Sequence, residues 1–302
     1  MIVGSKKHQK RKRVLNNYYQ KYLDTFKTWL IRLGYAPSTV KSNTFKLRYF
    51  FNAIQQLHIT TIYHIEHHHI ANYLETLQQQ NLSTTYIRSC LLAIKNFNKY
   101  IQKTEQYSIG FRAITIEQQL PNVRDILTKK ETENLFKNLD DTPIAMRNKA
   151  MLHLLYSCGL RCEEVTRVRV KDLDYHKQLL YVQPGKTRRG RYVPIHSKVV
   201  TALKAYEHYA RPVINPKGHY FLVGSNTKNY NSAMIRRSLT QILQQTTITK
   251  NITPHCLRHS IATHLLQEGM NIEHIKQFLG HKNLQTTQIY IRINKTLLHE
   301  QL

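Results

Sequence analysis

The stretch QLLYVQPGKTRRGRYVPI, residues 178–195, decides the fold, because its apolar pattern favours paired strands in a chain that otherwise has helical spacing. Two short runs rich in Leu, Tyr, Val and Ile, at 178–183 and 191–195, flank a segment that contains Pro184 and Gly185. Apolar runs of this kind on either side of such a segment are typical of a β-hairpin. The stretch therefore predicts an antiparallel hairpin with a strongly basic loop, and a further brief strand is predicted at 219–223.

Helical spacing of apolar residues surrounds the hairpin. Before it, the spacing predicts four helices at about 15–33, 37–57, 66–80 and 83–104. Gly34 is expected to end the first of these helices, and Ser83 is expected to cap the fourth. After the hairpin, helices are predicted at 197–209 and then to the end of the chain. The predicted fold class is mainly α with a small antiparallel β-sheet, an α+β fold.

A segment without clear periodicity divides the chain. Residues 106–124 contain Gly110 and Pro121 and are predicted to form a linker between domains. Thr128, with Glu131 three residues later, forms a capping-box pattern that begins the next helix. We predict a basic tail at 1–14, a helical domain at 15–105, the linker at 106–124 and a mixed domain at 125–302.

The charge balance indicates a polyanionic partner. Lys and Arg number 45 and Asp and Glu number 18, a net charge of +27, and this surplus suits DNA, RNA or an acidic membrane surface. No apolar run approaches the roughly 20 residues that span a bilayer, and no apolar segment follows the basic N-terminus as in a secretory signal. The expectation is a protein of the cytoplasm, associated with the nucleoid.

Cysteine and histidine usage favours structural roles over metal binding. Four cysteines are sparse for a disulfide framework in 302 residues, so reduced, packed thiols are expected. The histidine cluster at 64–69 lacks a Cys or carboxylate partner at metal-site spacing, which favours the polar start of a helix. Neither a metal nor a cofactor is expected.

Residues suited to phosphodiester chemistry recur through the mixed domain. Without a metal, breaking such a bond needs a nucleophile, cations for the charge of the transition state and an acid for the leaving oxygen. Arginine binds two phosphate oxygens at once, a lysine with a lowered pKa can act as the acid, and tyrosine can act as the nucleophile. The candidate groups, in chain order, are Arg161, Lys186, His255, Arg258, His281 and Tyr290.

In sequence and order these motifs resemble the tyrosine recombinase family, the phage integrases and Xer-type recombinases. The family's first arginine box is similar to Gly159-Leu160-Arg161-Cys162-Glu163-Glu164, and its hairpin lysine falls on Lys186, ahead of Val193-Pro194. Its His-x-x-Arg-His box corresponds to 255–259, its Leu-Gly-His box to 279–281 and its Thr-Thr-x-x-Tyr box to 286–290. The resemblance covers about 127–290, and more weakly the helical first half, which is similar to the family's four-helix core-binding domain. Ile291-Arg292 departs from the Thr-His that often follows the tyrosine, which leaves open how far the C-terminal segment is exchanged between subunits.

The resemblance implies a mechanism. Tyr290 would attack the phosphate and form a 3′-phosphotyrosyl bond, Arg161 and Arg258 would hold the phosphate with help from His281, and Lys186 would protonate the 5′ oxygen. His255 would assist proton transfer. Glu164 is interpreted as orienting the Arg161 region, and His259 as packing support beside Arg258. Strand exchange would need a homo- or hetero-tetramer on two sites of double-stranded DNA.

Basic residues on two predicted helices, at about 38–55 and 84–103, and in the stretch 226–237 are candidates for DNA binding. They are Lys41, Lys46, Arg48, Arg88, Lys95, Lys99, Lys228, Arg236 and Arg237. The alternatives are a catalytically silent DNA-binding accessory protein, an enzyme like a type IB topoisomerase, and an RNA-binding protein. Chromosome-dimer resolution and mobile-element integration both fit the sequence.

Overall fold

The structure, a computed structural model, describes residues 14–110, 114, 116, 125–185, 190–214, 219–224 and 230–280. Within these residues helices predominate, and one small antiparallel sheet is present, which confirms the predicted fold class. The chain divides into two compact units, Met1–Pro121 and Asn122–Leu302. None of the helices in the described segments is both long enough and apolar enough to span a membrane.

In its described residues the first unit contains four α-helices, as predicted, and a short 3₁₀ turn at Ile62–His64. The helices are α1 (Asn17–Arg32), α2 (Pro37–Gln56), α3 (His67–Gln79) and α4 (Thr84–Glu105). Gly34, at a φ of 74°, follows α1, and the Ser83 side chain accepts from Tyr86 N at the start of α4. The histidine cluster lies at the start of α3, where His69 Nδ1 accepts from the Glu66 backbone N–H at 3.0 Å.

Aromatic rings fill the centre of the first unit. Phe97 on α4 packs edge-on against Phe26 and Phe51, with ring centroids 5.6 and 5.1 Å apart. All three rings are fully buried, and each contributes roughly 2 kcal/mol through burial of apolar area. Helices α1, α2 and α4 are therefore held together by side chains whose spacing is visible in the sequence.

The second unit begins with the predicted capping box. Thr128 N donates to Glu131 at 2.7 Å, and Glu131 N donates to the Thr128 hydroxyl at 3.1 Å. The α-helices are α5 (Lys129–Lys137), α6 (Pro143–Leu152), α7 (Cys162–Val165), α8 (Ser197–Ala205), α9 (Arg211–Ile214), α10 (Ser232–Gln244), α11 (Pro254–Gln267) and α12 (Ile272–Leu279). Two π-helical turns, His153–Ser157 and Tyr206–Ala210, extend α6 and α8.

The sheet has three strands in the order β1-β2-β3: β1 (Leu173–Asp174), β2 (Leu179–Val182) and β3 (Arg191–Pro194). The predicted hairpin is confirmed, with Leu180 opposite Val193 and Val182 opposite Arg191. The strand predicted at 219–223 is wrong for the described residues. Tyr220 there forms an isolated bridge to Arg169, and Val223 is also a bridge residue, but the two residues between them form bends rather than a continuous strand. Strand β1 was not predicted, since two residues leave no alternating pattern.

The core of the second unit packs helices around the sheet. Buried apolar residues from the α6 region, β2, β3, α8 and α11 form one continuous cluster. Cys158, Cys162 and Cys256 are buried as free thiols in this unit, and Cys90 is buried in the first, which agrees with their predicted packing role. Burial raises the pKa of the Cys158 thiol to about 12.

Candidate active site

The site begins where the π-helical turn at 153–157 ends. Cys158 N and Leu160 N donate to carbonyls of that turn, and Gly159 adopts a left-handed conformation with φ of 59°. The chain then enters α7 with Arg161 as its N-cap residue, and Arg161 N donates to Glu164 Oε2 at 2.9 Å. Single π-helical turns recur at functional sites, and this one lies directly before the short segment that leads to Arg161.

Helix α11 supplies the second arginine. The Thr253 hydroxyl caps the helix by accepting from Cys256 N, and Pro254 occupies its first position, where a missing N–H costs nothing. Arg258 follows one turn later with 3% of the residue exposed. Its guanidinium donates to the carbonyls of Gly159 and Leu279, so it joins the loop before α7 to the end of α12.

The last carbonyls of α12 accept hydrogen bonds from three guanidinium groups. Such carbonyls have no partner inside their helix and carry the negative end of its dipole. The Leu279 carbonyl accepts from Arg258 and, at 3.3 Å, from Arg161 Nη1, while the Phe278 carbonyl accepts from Arg191 Nε at 3.1 Å. Gly280, in a left-handed conformation, ends the helix.

One carboxylate lies among these cations. Glu164 is 3.0 Å from Arg161 Nη1, accepts two hydrogen bonds of 3.1 Å from Arg191, and is 3.7 Å from Arg258 Nη1. Burial alone would raise the pKa of the Glu164 carboxyl, but the hydrogen bonds and charge of Arg191, with the charge of Arg258, lower it to about 2. Glu164 is therefore ionised at neutral pH and orients the arginines, in the way that was predicted for Arg161.

The structure thus brings two of the six predicted site residues together. Arg161 and Arg258 share the Glu164 carboxylate and the Leu279 carbonyl. His255 lies on the first turn of α11 with its side chain exposed, three residues before Arg258. The predictions for Lys186, His281 and Tyr290 lie outside the described residues, as does that for Lys228 among the DNA-binding candidates.

Arg191 is a site residue that the sequence analysis missed. It stands beside Arg188 and Arg189 in a basic run, where its charge alone did not distinguish it. Strand alternation was the available signal, because Arg191 and Val193 point to the same face of β3 and Val193 is fully buried. An arginine on the inward face of a strand needs buried partners, and here these are Glu164 and Phe278.

The remaining DNA-binding candidates differ in how far their charges reach solvent. Lys41, Lys99, Arg236 and Arg237 are exposed. Lys46 donates to the Ser42 hydroxyl at 2.6 Å and lies 6.0 Å from the centre of the Tyr86 ring. Arg88 donates to the Ile116 carbonyl at 3.2 Å, and Arg48 and Lys95 are partly buried. The exposed four are the better placed to contact a DNA backbone.

The described site is suited to binding a phosphate. Three guanidinium groups and one carboxylate leave a net charge of +2, in a partly buried setting where charge interactions are stronger than in water. Arginine keeps its charge and binds phosphate oxygens in pairs.

Comparisons with known proteins agree with this chemistry. A family model described as the phage integrase family matches residues 125–296, and one described as the phage integrase N-terminal SAM-like domain matches residues 19–105. The chain belongs to the phage integrase family. Members are tyrosine recombinases, so the activity of this chain is to break and rejoin DNA at specific sites.

Individual relatives are similar to this tyrosine recombinase over nearly its whole length. It is 30% identical to tyrosine recombinase XerC of Lacticaseibacillus casei (strain BL23), over 93% of this chain and 94% of the relative. It is 29% identical to tyrosine recombinase XerD of Listeria innocua, over 92% and 96%. Its fold is similar to that of a lambda integrase tetramer bound to a Holliday junction, with a TM-score of 0.71, 16% identity and coverage of 91% of this chain and 78% of that chain.

Proposed function

We propose that this protein is a Xer-type recombinase that cleaves each DNA strand through Tyr290 and keeps the strand as a 3′-phosphotyrosyl intermediate. The observation that carries the proposal is the arginine pair, because Arg161 and Arg258 converge on one carboxylate and one carbonyl in a region of net positive charge. The names of the relatives with about 30% identity over nearly the whole chain support the Xer assignment.

The proposed step exchanges one phosphate ester for another. The Tyr290 oxygen attacks the scissile phosphorus, the bond to the 5′ oxygen breaks, and Lys186 protonates the departing oxygen. His255 assists proton transfer around the tyrosine and the phosphate. Arg161, Arg258 and His281 stabilise the charge that develops on the phosphate oxygens, as preorganised cations do in other active sites. The 5′-hydroxyl of a partner strand reverses the reaction, and no ATP is needed because the ester bond is conserved.

The assembly on DNA is part of the same proposal. Double-stranded DNA is the substrate, and the positive surplus of both units supplies contacts to its phosphates. Exchange between two duplexes requires four active sites, so we propose a homo- or hetero-tetramer, the form in which lambda integrase occurs on a Holliday junction. The cytoplasm, in association with the nucleoid, is the proposed location.

A nicked suicide substrate tests the chemistry. The nick lies next to the scissile phosphate, so the 5′-hydroxyl product diffuses away and the covalent protein–DNA adduct accumulates. The wild-type protein is expected to form the adduct, the Tyr290→Phe variant is expected to form none, and both are expected to bind the substrate equally. Tyr209→Phe, which removes the hydroxyl of an exposed tyrosine, is the matched control and should react like the wild type.

Three results would contradict the proposal. Adduct formation by Tyr290→Phe would assign the nucleophile to another residue. DNA binding without any adduct on every candidate site would indicate an accessory DNA-binding protein. Relaxation of supercoiled DNA without any recombinant product would indicate a topoisomerase.

A further inference from the structure

The contacts of Arg191 connect three parts of the catalytic unit. The residue begins β3, opposite Val182 of β2, and in the sequence it follows Lys186 by five residues. Its Nε donates to the Phe278 carbonyl at 3.1 Å, and its two terminal nitrogens donate to the two oxygens of Glu164 at 3.1 Å each. The side chain is only 15% exposed, so these contacts are largely shielded from water.

We propose that Arg191 is a positioning residue for DNA cleavage. It holds three groups in fixed relative positions: strand β3, which follows Lys186 in the sequence, the Glu164 carboxylate, and the end of α12, which precedes His281. This inference rests on the function proposed above, because it assigns Lys186 and His281 to the reaction. Arg191 acts through its neighbours and needs no contact with the DNA.

The geometry requires arginine rather than any cation. Three N–H groups of one planar guanidinium point to three acceptors at 3.1 Å, two on Glu164 and one on the α12 backbone. A lysine ammonium is a compact charge on a flexible stem and lacks this fixed fork. The three hydrogen bonds therefore fix Glu164 and the end of α12 relative to β3. A lysine would preserve only the charge.

The shape of the α12 end gives a second, independent observation. A Cβ added to Gly280 would lie 3.0 Å from Cδ, Nε and Cζ of Arg191, closer than most real Cβ contacts. Gly280 also has a φ of 64°, where side chains are disfavoured. The turn before His281 is therefore packed directly against the Arg191 side chain, which agrees with a role in placing that turn.

Arg191 also determines how close the Glu164 carboxylate lies to the other arginines. It holds both carboxylate oxygens at hydrogen-bond distance, whereas Arg258 Nη1 remains 3.7 Å away. Without Arg191, the carboxylate, which already accepts from Arg161 at 3.0 Å, would shift toward Arg258 and neutralise more of the charge of that arginine. Arg191 thus preserves positive charge for the substrate in addition to aligning the elements.

Single-turnover cleavage of the nicked substrate tests this role in the full chain. We compare wild type, Arg191→Lys and Arg191→Gln, and measure the rate constant of adduct formation, the fraction of protein that reacts, and DNA affinity. Both variants are expected to lose roughly 10²-fold in the rate constant, the size of effect that small misplacements of catalytic groups cause. The reactive fraction and the affinity are expected to stay near wild type for Arg191→Lys. Lys177→Gln, at an exposed position of the β1–β2 turn, is the charge control and should react like wild type.

A double-mutant cycle with Glu164→Gln identifies the route of the effect. If Arg191 acts through Glu164, Arg191→Lys is expected to cost much less in the Glu164→Gln background than in the wild type. Wild-type rate constants for both Arg191 variants would overturn the inference and leave the proposed function intact. Loss of the reactive fraction alone, at an unchanged rate constant, would also overturn it, since that result indicates a purely structural arginine. Absence of any wild-type adduct would overturn the proposed function and this inference together.

Discussion

The carboxylate of Glu164 lies within 3.0–3.7 Å of guanidinium nitrogens from three different elements, and its side chain is 14% exposed. Partly buried cations of this kind are costly unless a counter-charge is present. At the scale of single residues, Glu164 is therefore the group that allows Arg161, Arg191 and Arg258 to lie close together before any DNA is bound.

Replacing Glu164 by glutamine is expected to destabilise the catalytic unit by about 3–5 kcal/mol, because removal of one partner leaves buried cations uncompensated. Hydrogen exchange of peptides from α11 and β3 measures this effect in the full chain. Glu163→Gln, its exposed neighbour on α7, is the matched control and should leave exchange unchanged. Equal exchange in Glu164→Gln and wild type would contradict the role given to this carboxylate.

Acid should weaken the same site. The pKa of Glu164 is about 2 in the folded protein and near 4.5 when unfolded, so its contribution is complete above pH 4.5 and is lost as the pH falls toward 2. The lost contribution is about 3 kcal/mol, since one pKa unit corresponds to about 1.4 kcal/mol. Hydrogen exchange of α11 between these pH values, corrected for its intrinsic pH dependence, should show a smaller loss of protection in Glu164→Gln. An identical slope in both proteins would refute the assignment.

At the scale of elements, Gly159 lies between the π-helical turn and α7. Its backbone conformation disfavours a side chain, and the surrounding space leaves no room for one. Its φ is 59°, and an added Cβ would lie 2.7 Å from Leu279 Cδ2. Gly269, after α11, also has a positive φ, but nothing lies within 4 Å of its added Cβ. Substitutions at these two glycines therefore distinguish the cost of backbone strain from the cost of steric overlap within one unit.

Gly269→Ala is expected to cost about 1 kcal/mol from backbone strain alone, whereas Gly159→Ala is expected to cost about 3 kcal/mol because overpacking adds to the strain. Thermal unfolding followed by circular dichroism measures the difference. Fluorescence of Trp29, the single tryptophan, reports the first unit and serves as the internal reference. Equal losses for the two alanine variants would show that the space beside Leu279 adjusts without cost.

Elements with local signals could be predicted from the sequence, whereas elements that depend on packing could not. Ser83 and the Thr128–Glu131 pair mark helix starts through hydrogen bonds within four residues, and the hairpin has an alternating pattern. The π-helical turn at 153–157 has no such signal, because it depends on how the helix meets α11. Arg191 was missed for the same reason, since its partners Glu164 and Phe278 lie 27 and 87 residues away.

At the scale of the whole molecule, the net charge of +27 predicts DNA binding that weakens steeply with salt. The exposed candidates on the helical unit include Lys99 on α4. Lys99→Gln is expected to reduce the slope of log affinity against log salt concentration by about 1, as loss of one phosphate contact does. Lys21→Gln on α1 changes the net charge equally and is the control. The same slope for both variants would remove Lys99 from the contact surface.

The buried thiol of Cys158 offers a way to time the opening of the catalytic unit. With its pKa raised to about 12 and almost no exposed surface, this sulfur is protected from alkylation while the fold is closed. It lies directly before Gly159, whose carbonyl accepts from Arg258. The rate at which a maleimide modifies Cys158, measured by mass spectrometry with and without DNA, therefore reports how often the segment that holds Cys158 and Gly159 separates from the core.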